Sequence, residues 1–148
     1  MSYAIIGETI KSATSLKLGQ IFGTDTIRYK ESITSPKYPN FFISQVELSV
    51  THAGKDRLQL DYLMNIRYRV ASDTSTLTNL EQSLDEVGLK LCAELTELDL
   101  ELPTKTKNRN YTKEDGVLQF FFNITVFAAP ERTDDNKLKN YELNKEVI

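Results

Sequence analysis

The chain has 148 residues, with 18 Lys and Arg against 21 Asp and Glu, one His, one Cys and no Trp. That length allows one domain burying roughly 70% of its unfolded surface without disulfides or a structural metal, and the net charge of −3 argues against a dedicated nucleic-acid binder, which needs a basic excess to displace counterions from phosphates. No stretch approaches the ~20 consecutive apolar residues of a membrane helix, and the N-terminal MSYAIIGETIKS lacks the basic start and apolar run of a secretion signal, so a soluble intracellular protein is expected.

Residues 2 to about 19 read as a helix, capped by Ser2, with Ile6, Ile10, Ala13, Leu16 and Phe22 at helical spacing and Gly19 and Gly23 ending it. Thr26 to Lys30 is short and β-branched and suits a strand, after which Pro36 and Pro39 interrupt the path. From Asn40, FFISQVELSV places Phe42, Val46, Leu48 and Val50 on one parity. After the turn residues His52 to Asp56, RLQLDYLMNIRYRV alternates Leu58, Leu60, Tyr62, Met64, Ile66, Tyr68 and Val70 with mostly polar residues. The spacing predicts a long antiparallel hairpin over 40–50 and 57–70 with one wet face.

Leu77, Leu80, Leu84, Val87, Leu91, Leu95 and Leu98 recur at steps of three and four, which predicts a second helix of about 22 residues, near 33 Å long, capped within Asp73 to Thr76. A helix of that length can lie across several strands, and Gly88 inside it marks a place of close packing. Pro103 opens a basic, polar stretch carrying Lys105, Lys107, Arg109, Tyr111 and Lys113, expected as a long exposed loop or an edge hairpin. The following DGVLQFFFNITVFAAP is apolar at nearly every step and reads as a central strand. Phe121 points away from Phe120 and Phe122, so something must cover each face: a helix on either side, or another subunit. The result is an α+β fold: a mostly antiparallel sheet with a long hairpin and a final central strand, covered by two helices. It forms one domain over residues 1–130, followed by a charged tail, 131–148, flexible or ordered by a partner.

The chemistry of sites is thin. His52 is the only histidine and Cys92 lies on an apolar helix stripe, so neither a triad nor a metal set can be assembled and no metal or cofactor is expected. Gly7 to Ser12 ends in Lys-Ser like a phosphate loop but lacks the second Gly and follows no strand. The carboxylates Glu81, Asp85, Glu86, Glu94 and Glu97 read as a solvated helix face.

Three motifs resemble the tail terminators of tailed phages and phage-like particles. Tyr38-Pro39-Asn40-Phe41-Phe42-Ile43, behind an amphipathic helix and a short strand, is similar to that family's entry to its first long strand. Asn65-Ile66-Arg67-Tyr68-Arg69 resembles its Tyr-bearing strand end ahead of a Leu-rich helix, and Asp115-Gly116-Val117-Leu118-Gln119-Phe120-Phe121-Phe122-Asn123 resembles its closing strand. The resemblance covers roughly residues 3–130.

It implies a non-enzymatic assembly protein in the virion tail, built in the bacterial host cytoplasm. Such a protein forms a ring, six-membered in this family, at the head-proximal end of the tail. Its partners would be further copies of itself, the tail tube protein, the sheath protein of a contractile tail and the head-completion connector, with DNA only passing through the lumen and no membrane involved. Lys105, Lys107, Arg109, Tyr111 and Lys113, with Leu138 and Tyr141 of the tail, are candidate docking residues, and Phe121 and Phe127 candidate subunit-packing residues. A head-tail connector or a small peptide-binding module are the alternatives.

Overall fold

Residues 3–70 and 77–129 are described by the structure, a computed structural model. The expected caps at Ser2 and Asp73 to Thr76, and the charged tail, lie outside the described residues. The first helix, α1 (Tyr3–Phe22), packs through Ile6, Ile10, Thr14 and Leu18, each four residues on. Leu16, expected in that stripe, lies roughly 140° round the helix from its middle and is exposed. The helix stops at Gly23, whose positive φ of 116° turns the chain while its N–H donates to the Gly19 carbonyl at 2.9 Å.

Six strands follow the hydrophobic pattern into one sheet: β1 (Ile27–Tyr29), β2 (Asn40–His52), β3 (Leu58–Arg69), β4 (Glu97–Asp99), β5 (Pro103–Glu114) and β6 (Val117–Ala128). Their order is β1-β2-β3-β6-β5-β4, antiparallel except for the parallel β1–β2 pair. The expected hairpin and central final strand are thus both present. Across the central pair, Met64 stands opposite Phe122 and Ile66 opposite Phe120. With Leu118, Ile124, Tyr62 and Ile43 these side chains are buried on one face, where they meet Ile6, Ile10 and Leu18 of α1 and Leu84, Leu91 and Leu95 of the second helix.

That second helix, α2 (Leu77–Glu94), is shorter than the Leu periodicity predicts. The chain leaves it because β5 captures the backbone: the Thr106 N–H donates to the Thr96 carbonyl at 3.0 Å and the Thr106 hydroxyl to the Leu95 carbonyl at 2.6 Å. Leu98 is buried all the same, from the short strand β4. Tertiary hydrogen bonding has overridden a local helical pattern.

Of the two forms expected for the basic stretch, the edge hairpin is the one present: residues 106–114 pair with β6 on one side and with no described strand on the other, while only 103–105 pair with β4. The stretch is the twelve-residue strand β5, joined to β6 by a tight turn at Asp115 (φ 53°) and Gly116 (φ 74°), the Asp-Gly pair favoured where both turn residues need positive φ. An extra residue between Lys107 and Asn110, with Asn108 at φ 55°, makes a bulge that flips the strand's parity. Beyond it Arg109, Tyr111 and Lys113 all turn toward α2. Gly88 is where the helix and strand come closest, since a Cβ there would lie 2.8 Å from the Tyr111 ring.

Gly in a helix costs about 1 kcal/mol against Ala, whereas burying each of Leu84, Leu91 and Leu95 contributes about 1.5–3 kcal/mol, so close packing outweighs propensity here. Gly88→Ala is expected to lose about 1–3 kcal/mol in urea unfolding, from overpacking. The same substitution in a Tyr111→Ala background should lose nothing.

Candidate functional site

Both helices lie on the same side of the sheet, so alternate residues of every long strand face the other side, which no described element covers. Phe42 of β2, Leu63 of β3, and Phe121 and Phe127 of β6 lie there, between polar residues. Expectation allowed a helix on each side or a partner; the structure places both helices on one.

The polar residues of this face are cross-linked. The Thr125 hydroxyl donates to Asp61 Oδ1 at 2.5 Å, Gln59 Nε2 donates to Asp61 Oδ2 at 2.9 Å, and Lys107 Nζ donates to Thr125 Oγ1 at 3.0 Å. Asn65 Nδ2 reaches Gln119 Oε1 at 3.2 Å and Asn108 Nδ2 reaches Asn123 Oδ1 at 3.0 Å. Hydrogen bonds from Thr125 and Gln59 hold the Asp61 carboxyl below the usual range. The ladder leaves Phe121 and Leu63 standing among hydrogen-bonded polar groups.

The candidate docking residues separate into two groups. Lys105 and Lys107 are exposed, and Lys105 shares with Phe127 a groove of about 690 Å³ formed where β5 leaves β6 to pair with β4. Phe127 is 49% exposed beneath the Arg57 guanidinium, 4.5 Å from its ring centroid. Phe121 is half-buried at the middle of the uncovered face. Arg109, Tyr111 and Lys113 instead hold β5 to α2: Arg109 Nε donates to the Cys92 carbonyl at 2.9 Å, Tyr111 Oη to Asp85 Oδ1 at 3.0 Å, and Lys113 Nζ lies 2.8 Å from Glu81 and 2.9 Å from Asp85. Glu81 and Asp85 are therefore ion-paired rather than merely solvated. Leu138 and Tyr141 lie outside the described residues.

Sequence reasoning passed over Arg67, Arg69 and the outer edge of β2. The arginines sit within Asn65-Ile66-Arg67-Tyr68-Arg69 but read only as the wet parity of a strand. On β2, pairing with β1 ends at Phe42, leaving Ile43 to His52 without an outer neighbour among the described residues, and Val46 there is 52% exposed.

Conventional reactive chemistry finds little support on these surfaces. Burial raises the Cys92 thiol above its ordinary value, which disfavours the thiolate. His52, at the end of β2, is exposed. Among the described residues no three His, Cys, Asp or Glu side chains converge as a metal site, and no helix is long and apolar enough to cross a membrane.

Residues 9–136 match the phage tail terminator protein family. The chain belongs to that family. No curated protein matches it. As a tail terminator it is a structural component of the virion tail, of a family that works through contacts with other tail components.

The ion-pair cluster of this tail terminator yields a pH test. Hydrogen bonds from Lys113 and Tyr111 depress the Asp85 carboxyl, so its contribution to stability is complete above the unfolded-state value and lost as pH falls through the lower folded one. In Lys113→Met, carbon-detected NMR should show Asp85 titrating at higher pH than in the wild type, while Asp61, whose main partners are Thr125 and Gln59, keeps its depressed value.

Proposed function

We propose that this tail terminator assembles as a ring, six subunits round, at the head-proximal end of the tail. There it ends polymerisation of the tube, and of the sheath where the tail is contractile, and joins the finished tail to the head-completion connector. The ring is built in the bacterial host cytoplasm, acts by contact rather than catalysis, needs no cofactor, and lets DNA pass through its lumen without specific recognition.

The observation that carries this reading is the uncovered sheet face of a chain belonging to the tail terminator family. Phe42, Leu63 and Phe121 stand there within a hydrogen-bonded polar frame, which suits a contact made and kept during assembly. Heterologous contacts close into a ring when the rotation per subunit is right, and a closed ring caps a tube of matching symmetry. Lys105, Lys107 and Phe127, at the groove beside β6, and the segment 131–148 with Leu138 and Tyr141, are assigned to docking on the tube, the connector or neighbouring subunits.

The outer edge of β2 favours a second reading, a module that takes a peptide as an added strand. The two differ in stoichiometry, since the module stays a monomer or dimer at every concentration and on every tube.

Particles lacking the protein should carry tubes longer than normal, measured by electron microscopy. Phe121→Asp, on the uncovered face, should leave the circular dichroism spectrum and cooperative unfolding unchanged but give the same overgrown tubes. Tails of normal length that fail to attach to heads would replace this reading with that of a connector.

A further inference from the structure

At the β1 end of the uncovered face, Arg67 and Arg69 line a pocket of about 230 Å³ with Tyr29, Glu31, Ile33 and Phe42. The Arg67 guanidinium carbon lies 5.4 Å from the Phe42 ring centroid, and Arg67 Nε is buried without a hydrogen-bond partner. Neither the Arg67 nor the Arg69 guanidinium has an ion pair or hydrogen bond among the described residues. A buried donor left without an acceptor costs about 1–3 kcal/mol, and native structures rarely tolerate one without a reason. Two guanidinium groups against one carboxylate leave the pocket positive, and the planar fork of Arg matches a carboxylate with two parallel hydrogen bonds.

The chain carries a complementary segment. Directly after Ala129 come Pro130, Glu131, Arg132, Thr133, Asp134 and Asp135, three carboxylates against one Arg, still within the 9–136 span that matches the family. This segment starts at the wrong end of the molecule to fill its own pocket. Ala128 pairs with Leu58, nine residues before Arg67 on β3, which is about 30 Å along the strand. The seven residues from Ala129 to Asp135 span at most about 25 Å fully extended, and they must first reverse direction. Donor and acceptor therefore belong to different subunits.

We propose that the Arg67–Arg69 pocket receives the acidic segment 131–135 of a second copy of the chain, with Asp134 and Asp135 accepting hydrogen bonds from the two guanidinium groups. Because the segment leaves one end of the sheet and the pocket opens at the other, the contact is head-to-tail and repeats from subunit to subunit. It rests on the ring reading above for the closure of that series, though not for the pocket itself.

The test is a fluorescein-labelled peptide of residues 129–137, titrated at low ionic strength into the full-length Asp134→Asn/Asp135→Asn protein, whose own segment is thereby disabled as a competitor. Saturable binding is expected by fluorescence anisotropy, weakened about tenfold or more by Arg67→Gln in the protein or by Asn at both Asp positions of the peptide, and lost in roughly 0.5 M salt. Arg69→Gln, at an exposed position, supplies the same readout if Arg67→Gln disturbs folding. No saturable binding, or equal binding to the Arg variants, overturns the assignment. Native mass spectrometry of the wild-type protein separates the two ideas: a ring without peptide binding overturns the pocket alone, whereas peptide binding by a chain that never closes overturns the ring alone.

Discussion

The pairing of β3 with β6 is the constraint from which the rest of the molecule follows. Its register brings Leu60, Tyr62, Met64 and Ile66 to the same side as Leu118, Phe120, Phe122 and Ile124, and that apolar strip is where α1 and α2 both bury their stripes. Once both helices are committed to one side, the reverse parity of the same strands is left to solvent or to a partner. Phe121 faces outward because Phe120 and Phe122 face inward, and strand geometry allows no other arrangement.

That outward face is neither an ordinary solvated surface nor a second core. Its cross-strand hydrogen bonds, from Asp61 through Thr125 to Lys107 and from Asn65 to Gln119, hold polar side chains in place around a few apolar ones. Ordered polar groups around half-exposed rings lose little entropy on contact, which suits the contact role proposed for this face. The same economy of parts shows on β5, where the bulge at Asn108 divides one strand between two tasks. Before it, Lys105 and Lys107 project outward; after it, Arg109, Tyr111 and Lys113 clamp the strand beneath α2.

Much of this was legible beforehand because the relevant signals are local. The alternation from Leu58 to Val70, the Leu stripe of α2, the Phe run of β6 and the motif at Asp115-Gly116 each depend on neighbours in sequence, and they led to the α+β class and to the tail terminator family. β5 was legible only as a loop or an edge hairpin, because a strand whose inner face is Arg, Tyr and Lys carries no hydrophobic alternation. The premature end of α2 was equally hidden, since Leu95 and Leu98 keep the helical spacing although only Leu95 follows directly from the helix. Of the candidate site residues, Lys105, Lys107, Phe121 and Phe127 stand on or beside open surfaces, while Arg109, Tyr111 and Lys113 look identical to them in the sequence and differ only in having α2 above them.

The sequence by itself determined which segments are apolar and with what period, and therefore the central hairpin, the last strand and the family. Only the tertiary structure decided where the helices sit, because period-2 alternation states that a strand has two faces without stating which element lies on which. It alone decided the partners of the charged residues, since an ion pair such as Lys113 with Asp85 joins positions 28 apart. And it alone showed Arg67 beside Arg69 without an acceptor, because an unsatisfied donor is a property of surroundings in space, which no stretch of sequence contains.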